Sequence, residues 1–230
     1  MEKPVTNLIP SRLAKHAHFD AGTIFPILDQ ALFCTVSYAI ENMSYAIPTS
    51  FVRYENKIYI HGSVGSHFIR ELEKEIPVCI TIMLADALVV AKSAFNHSVN
   101  YRSVVLFAVA EKIEDEKEKL DSFEWLVDKM VPGSWYYLRP VTESEIRRTV
   151  VLAFDLTEAS AKLRQGMPGD AEEDKALPIW SGLIPLQTDR LKPVADESSQ
   201  HIQMPGHLVS PDSHPIINKP TDEPGKIGLL

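Results

Sequence analysis

A short segment rich in glycine and serine holds the residues best suited to bind an anion. Residues 59–67 read YIHGSVGSH, an apolar strand that runs into a predicted helix. Glycines let a backbone approach a ligand closely, and the amides of a first helical turn point outward. Three side chains can also donate hydrogen bonds to phosphate oxygens, those of Ser63, Ser66 and His67. The pattern indicates a phosphate site, although an ordinary strand-to-helix turn capped by Ser66 accounts for the same residues.

A single arginine opens a strand that is otherwise apolar. Arg102 lies in the segment NYRSVV of residues 100–105, and hydroxyl groups flank it at Tyr101 and Ser103. A guanidinium at the rim of a barrel is a fork-shaped donor for a phosphate or a flavin-type carbonyl. An ion pair with one of the chain's surplus carboxylates is an equally good interpretation of this residue.

One tryptophan lies just before the C-terminal segment. Trp180 follows an acidic stretch, residues 169–174, that is typical of a loop. A large aromatic ring at such a place either closes the hydrophobic core or covers a planar ligand by stacking. The polar segment 96–100 joins two predicted strands and lies at the same end of the sheet as Arg102.

Other chemistries find little support in the sequence. The histidines could supply several imidazoles to a metal, but no HExxH or CxxC spacing accompanies them. The histidines in question are His16, His18, His61, His67 and His97. A GxSxG nucleophile, a Rossmann GxGxxG and a Walker lysine are all missing. We therefore expect no metal site and no nucleotide site of the Rossmann or P-loop kind.

Composition narrows the classes of partner. The 230 residues, enough for one domain with or without an appendage, include 23 basic and 31 acidic side chains, a net charge of −8. A chain of this charge repels nucleic acid and anionic membrane surfaces. The richest apolar run, residues 76–90, contains Asp86 and is too short to cross a bilayer. Cys34 and Cys79 lie in apolar runs, which is typical of buried thiols in a reducing compartment. We expect a cytoplasmic protein with neither a nucleic-acid nor a membrane partner.

The elements that would position the candidate residues are mostly strands. Apolar residues at helical spacing predict helices over residues 20–30, 65–75, 115–130 and 143–147. Runs rich in β-branched and aromatic residues predict strands over residues 32–38, 45–53, 57–60, 78–84, 87–94, 101–110 and, last, 149–156. Asn42 and the pair Glu55-Asn56 suit tight turns. Two strands are so apolar that both faces must be covered, and closure into a barrel would cover them. The sequence therefore predicts a mainly β fold, a small barrel of six to seven antiparallel strands with inserted helices.

The C-terminal segment differs from the rest of the chain. Residues 187–230 hold six of the sixteen prolines and no aromatic Phe, Trp or Tyr, so they cannot form a core of their own. We predict a domain over residues 1–186 followed by a proline-rich tail over residues 187–230. The tail is either disordered or an arm on the barrel or on a partner subunit, and its apolar residues favour the arm: Ile202, Leu208, Val209, Ile216 and Ile217.

Four motifs in order carry a resemblance to a known family. They are IPT at residues 47–49, YIHGS at 59–63 with its following helix, NHSVNYRSV at 96–104, and WSGLIPL at 180–186. Together these segments resemble the flavin-nucleotide-binding family related to pyridoxamine 5′-phosphate oxidase, in particular the branch with the 5-nitroimidazole resistance proteins. The resemblance covers residues 12–186. It implies an FMN-binding split barrel that pairs as a homodimer, with two FMN molecules at the subunit interface.

The resemblance also implies which residues contact the cofactor. It places Pro48, Thr49 and Ser50 along the flavin ring. It places His61, Gly62 and Ser63 beside the ribityl chain or phosphate, and Ser66 and His67 where the oxidases carry a serine followed by basic residues. Because His67 replaces a permanent cation, Arg102, with Tyr101 and Ser103 beside it, is left to carry the charge for the phosphate. Trp180 would approach the flavin from the partner subunit.

The activity implied by the resemblance is redox chemistry on a small molecule. We expect an FMN-dependent oxidoreductase that uses a reduced nicotinamide donor and a nitroaromatic or quinone-like acceptor. The basic residues that hold pyridoxal phosphate in the oxidase have no counterpart in residues 187–230, so vitamin B6 synthesis is not expected. The alternatives are a non-catalytic module that binds flavin, or haem through His61 or His67, and a barrel whose groove the tail fills without any ligand.

Overall fold

Short runs of β-branched and aromatic residues form two antiparallel sheets. The computed structural model describes residues 17–208. Its strands are β1 (Ala17–His18), β2 (Phe33–Ile40), β3 (Met43–Ser50), β4 (Val52–Tyr54), β5 (Lys57–Ser63), β6 (Pro77–Val90), β7 (Ser98–Val109), β8 (Glu111–Lys112), β9 (Thr149–Asp155), β10 (Ala159–Arg164) and β11 (Gly182–Pro185). The predicted mainly β class is confirmed.

The strands divide between a seven-stranded and a four-stranded sheet. The larger sheet has the order β1-β10-β7-β6-β2-β3, with β11 paired to β6 in addition, and the smaller one has the order β4-β5-β9-β8. The chain passes from one sheet to the other at Phe51, which is fully buried between β3 and β4. The predicted closure into a barrel was wrong, because no strand joins the edges of the two sheets among the described residues.

The longest strand corrects another prediction. The segment 78–84 and the first part of the segment 87–94, expected to be separate strands, form one strand, β6. This strand ends at Val90 and pairs with β7 along most of its length. The register shifts between Ala85 and Ala87, so Asp86 forms a β-bulge instead of a turn. The strand over residues 149–156 is present as β9 but is not the last, since β10 and β11 follow it.

The predicted helices are present and begin at capping residues. They are α1 (Ala21–Gln30), α2 (His67–Leu72), α3 (Glu116–Met130) and α4 (Glu143–Arg148). The side chains of Asp20, Ser66 and Asp115 each accept a hydrogen bond from an amide of the first turn, as N-cap residues do. The predicted tight turns occur as well, with positive φ at Asn42 and Glu55.

The main core lies between the inner faces of the two sheets. It contains buried apolar side chains from both, such as Val36, Ile80 and Leu106 of the larger sheet and Ile60 and Leu152 of the smaller one. A second, smaller cluster lies on the other face of the four-stranded sheet, where α3 covers it. Among the described residues, no such apolar cluster lies on the outer face of the seven-stranded sheet, where Phe33 is 66% exposed and Met83 61% exposed.

The chain divides into two compact units, Met1–Arg190 and Leu191–Leu230. In the described part of the second unit, residues 191–208, two short 3-10 turns occur, Glu197–Ser199 and Gly206–Leu208. The carboxylate of Asp196 accepts hydrogen bonds from the amides that open the first turn. Three apolar tail residues named above, Val209, Ile216 and Ile217, lie outside the described residues. The division into a domain over residues 1–186 and an arm over 187–230 stays a prediction.

Candidate functional site

Four of the residues expected at the cofactor share the outer face of the seven-stranded sheet. Pro48 is paired with Thr35, and Phe33 is paired with Ser50 on the same face. Residues that lie opposite each other on neighbouring strands point to the same face of the sheet. The outer face therefore continues across the sheet from Thr35 to its partner Thr81, and from Thr81 to its partner Val105. Ser103 and Tyr101 lie on this face of β7 too, opposite Met83 and Ala85.

This face combines small polar groups with exposed apolar ones. Hydroxyl groups of Thr35, Ser50 and Ser103 lie among the side chains of Phe33 and Met83, and none of these residues is buried in the single chain. Thr49, also expected along the ring, is opposite the buried Cys34 and therefore lies on the inner face, where its hydroxyl donates to the Ser50 carbonyl at 3.4 Å. A flat ligand on this face would meet the strand backbones and short side chains directly.

The glycine- and serine-rich loop uses much of its own hydrogen-bonding capacity. The amide of Val64 donates to the Arg148 carbonyl at 3.1 Å, that of Gly65 to Ser63 Oγ at 3.2 Å, and that of Ser66 to the Ser63 carbonyl at 2.9 Å. Ser66 Oγ accepts from the Ile69 amide at 3.4 Å, which makes it the N-cap of α2. An anion at this loop would therefore depend mainly on side chains.

Two arginines beside this loop were missed in the sequence. Arg70, on α2, donates to the Gly65 carbonyl at 2.6 Å. Arg148 is exposed, and its carbonyl binds the Val64 amide, so its side chain begins next to the loop. Within residues 17–208 no ion pair or hydrogen bond is recorded for the Arg148 guanidinium. Helical spacing from His67 could have indicated Arg70, whereas Arg148 reaches the loop only through the pairing of β5 with β9.

His67 and Gly62 have contacts that explain their types without a ligand. The side chain of His67 is 71% exposed, and its Nδ1 lies 3.6 Å from a carboxylate oxygen of Glu71 on the next turn. A Cβ at Gly62 would lie 2.3 Å from Cγ1 of Ile69, so the glycine lets α2 pack against β5. The space over Gly62 is thus filled by the fold.

His61 lies on the other side of β5 and is covered by α3. Its Nε2 is 3.0 Å from Ser122 Oγ, and the ring of Phe123 packs edge-on against it at 4.8 Å between centroids. Burial lowers the pKa of His61 to about 4, so the imidazole is neutral at pH 7. Burial is the cause of this shift, and no charged neighbour contributes to it among the described residues.

A groove of about 630 Å³ opens beside this histidine. It runs between α3 and the segment before α4, and its walls are mostly apolar. The lining side chains are those of His61, Phe123, Leu126, Val127, Trp135, Leu138, Arg139, Val141, Glu145 and Thr149, with Gly62 at the base. Arg139 and Glu145 pair with each other at 2.5 Å at this groove. Neither this groove nor its cover could be read from the sequence.

Arg102 faces away from its two hydroxyl neighbours. It lies on the inner side of β7, where its guanidinium pairs with both carboxylate oxygens of Asp86 at 2.7–3.2 Å and donates to Gln30 Oε1 at 2.7 Å. The hydrogen bonds to Asp86 raise the pKa of Arg102. Arg102 therefore forms a structural ion pair, which was one of the two functions expected for it from the sequence. A phosphate at Arg102 would have to compete with the Asp86 carboxylate.

Trp180 is an exposed aromatic residue just before β11. Its ring is 65% exposed and folds back over Gly182, where a Cβ would lie 2.9 Å from the ring. Since β11 pairs with the second half of β6, the tryptophan lies next to the larger sheet and does not close the core. Its exposure leaves it available to a planar ligand or to a partner subunit.

The residues present fit a flavin nucleotide. The outer face of the larger sheet offers apolar and hydroxyl groups to a ring. The loop at 63–67 offers hydroxyls and an imidazole to a phosphate, and Arg70 and Arg148 beside it offer positive charge. Within the described residues, no cluster of three His, Cys, Asp or Glu side chains could hold a metal ion. No helix in the same part of the chain has the length and apolar character needed to cross a membrane.

Comparison with solved structures finds close relatives of this fold. The flavocytochrome Anf3 from Azotobacter vinelandii is 37% identical, with a TM-score of 0.81, over 86% of this chain and 93% of that one. The FAD and heme binding protein from Mycobacterium smegmatis is 31% identical, with a TM-score of 0.80, over 84% and 95%. A Bacteroides thetaiotaomicron protein assigned to 5-nitroimidazole antibiotic resistance, 22% identical with a TM-score of 0.55 over 64% and 85%, shares the fold.

A comparison of the sequence with models of protein families also finds a match. No curated protein matches the chain. The model of pyridoxamine 5′-phosphate oxidase, however, matches residues 20–163, more than half of the chain. This region extends from α1 into β10 and thus includes both the outer face of β2, β3, β6 and β7 and the loop at 63–67. The chain belongs to the pyridoxamine 5′-phosphate oxidase-like family.

Proposed function

We propose that the chain is a flavin-binding protein that works as a homodimer, with FMN held where the outer faces of two seven-stranded sheets meet. The uncovered outer face is the observation that carries this proposal. A central strand such as β6 is normally buried on both sides when its residues are apolar, yet Met83 and Thr81 are exposed in the single chain. A second copy would cover them and exclude water from a bound ring.

The ring and the phosphate have separate groups of residues in this proposal. Pro48 and Ser50 would lie along the ring, with Tyr101 and Ser103 further across the face and Trp180 contributed by the second copy. The phosphate would accept hydrogen bonds from the hydroxyls of Ser63 and Ser66, the imidazole of His67, and the guanidiniums of Arg70 and Arg148. Because the Arg102 guanidinium is paired with Asp86, Arg148 is the better source of charge.

The reaction proposed is the reduction of a small organic acceptor at the expense of a reduced nicotinamide. A bound flavin would accept two electrons from the donor and pass them to the acceptor. The protein would orient the ring, keep water out and bind the flat substrate against the same face. No acid or base side chain is required for this chemistry, so the site can be built from hydroxyl and apolar groups alone.

The test begins with the chain as purified. We expect flavin absorption bands, a mass in solution of two chains, and FMN as the nucleotide released on denaturation; release of FAD would keep the flavin proposal and correct the nucleotide. Arg148→Ala should weaken FMN binding about tenfold, as loss of one charge-assisted hydrogen bond does. Arg102→Ala is the matched variant. If this variant loses flavin while circular dichroism shows intact folding, then Arg102, and not Arg148, binds the phosphate. A protein that binds neither flavin would contradict the proposal.

Haem is a second candidate ligand, and the groove beside His61 favours it. The two relatives of 37% and 31% identity are a flavocytochrome and a protein that binds FAD and heme, respectively. In this chain the groove has mostly apolar walls and a neutral imidazole, which suit a flat macrocycle. Arg139 at the groove is paired with Glu145, so a carboxylate group of the ligand would have to compete with Glu145. His61 would hold the iron of this ligand; the exposed His67 is the other candidate.

Absorption spectra decide this second proposal. Titration with haemin should produce a Soret band that shifts on binding, and His61→Ala should abolish the shift while His67→Ala leaves it intact. Loss of the shift only in His67→Ala would move the ligand to the loop. The absence of any shift in the unmodified chain would end the haem proposal and leave the flavin proposal untouched.

A further inference from the structure

Ser122 is one of only three polar residues that are buried within the described part of the chain, and it is fully enclosed. It lies on the face of α3 that covers β5. Its hydroxyl donates to the Lys119 carbonyl one turn earlier at 2.7 Å. A serine hydroxyl has a single hydrogen, so this bond uses its only donor. What remains for His61, 3.0 Å away, is an acceptor lone pair.

The direction of the second hydrogen bond follows from the first. Because Ser122 Oγ can only accept, the His61 nitrogen that faces it must carry a proton and donate. In a neutral imidazole only one nitrogen is protonated, so the other one has a free lone pair. The ring nitrogen that faces Ser122 is Nε2, so the one with the free lone pair is Nδ1. No partner of Nδ1 is recorded within residues 17–208, and the ring lines the groove.

We propose that Ser122 is a positioning residue that holds the proton of His61 on the α3 side and thereby presents the other ring nitrogen, as a lone-pair donor, to a ligand in the groove. The same arrangement is common behind histidines that bind a metal, where the distal N–H donates to an oxygen. The part of this inference that concerns the ligand rests on the haem proposal.

The surroundings of the ring support a fixed neutral tautomer. Phe123 packs against its edge, and burial lowers its pKa. The charged groups that line the groove are Arg139 and Glu145, which pair with each other, and α3 contributes Lys119, whose ammonium donates to the Ile146 carbonyl at 3.2 Å. None of them is recorded as a hydrogen-bond partner of the imidazole, so Ser122 alone selects the tautomer.

The first experiment reads the tautomer without any ligand. In ¹⁵N-histidine-labelled full chain at pH 7, with the signals assigned by His61→Gln, we expect one protonated and one unprotonated ring nitrogen for His61. Ser122→Ala should bring the two shifts toward an average of both tautomers, and Ser122→Thr, which keeps the hydroxyl, should restore them. Ser144→Ala, an exposed serine on α4, is the control. An unchanged spectrum in Ser122→Ala would overturn the inference.

The second experiment uses haemin as the probe. If Ser122 orients the imidazole toward the groove, Ser122→Ala should weaken haemin binding by about 10–100-fold, the usual effect of removing such a partner. Equal affinity in Ser122→Ala and the unmodified chain would contradict the part that concerns the ligand. If the unmodified chain does not bind haemin, the haem proposal fails, while the nitrogen shifts still decide what Ser122 does.

Discussion

The two sheets of the first unit differ in whether the face that points away from the main core is covered by other parts of the chain. On the four-stranded sheet, Tyr59 and Val151 are buried under α3, whose Trp125 also stacks on Tyr54 with 3.8 Å between centroids. On the seven-stranded sheet, Met83 stays largely exposed in the middle of the long strand β6. A face covered by the chain itself adds to stability, whereas a face left uncovered is available for association and ligand binding. The two faces should therefore respond to different kinds of measurement.

A charge on the uncovered face should have the largest effect. Met83→Arg would place a guanidinium in the proposed dimer interface, and burial of an unpaired charge should weaken dimerisation by at least about 100-fold. Sedimentation or light scattering should then find single chains, with flavin retention lost in parallel. Tyr136→Arg is the matched control, since Tyr136 is 82% exposed and lies on the segment before α4. A dimer that persists in Met83→Arg would place the interface elsewhere.

Acid should act on the covered face through His61. Its pKa is about 4 in the folded chain and near 6.5 when unfolded, so the unfolded state takes up the proton first as pH falls. Stability is therefore complete above about pH 6.5 and is lost progressively down to about pH 4, by up to about 3 kcal/mol. Urea unfolding at several pH values, compared between the unmodified chain and His61→Gln, isolates this contribution. The same slope in both would mean that His61 does not titrate with folding.

Gly62 separates a packing role from a role in ligand binding. Gly62→Ala should cost about 2 kcal/mol, because the new methyl group overlaps Ile69 and must displace α2. The control is Gly65→Ala, where the nearest atom to an added Cβ is Ser63 Oγ at 3.6 Å, an ordinary contact. Urea unfolding of the two variants gives the difference. Equal stability would indicate that α2 shifts freely and that Gly62 is kept for another reason.

Local sequence patterns predicted the helices, strands and turns, whereas the positions of the candidate site residues depend on pairing between distant strands. The helices that begin after Asp20 and Asp115 and the turn at Asn42 depend on interactions over a few residues, so they were predicted from the sequence. The ion pair of Arg102 with Asp86 depends on the register of β6 with β7 and on the bulge between them, which no local pattern encodes. The residues on the outer face were named from a resemblance to a family; their common face follows only from strand pairing.

The cap of α4 should have the smallest effect and tests whether the covered face extends to the groove. Thr142 accepts from the Glu145 amide while the Glu145 carboxylate accepts from the Thr142 amide, a complete capping box. Thr142→Ala should lower the free energy of unfolding by about 1 kcal/mol and loosen the start of the helix that carries Glu145. Since Glu145 also binds Arg139 beside the groove, haemin affinity should fall with it, while the proposed dimer and its proposed flavin binding stay unchanged. A variant that lost the dimer instead would show that the two faces are coupled through α4, and the separation between a stabilising and an associating face would not hold.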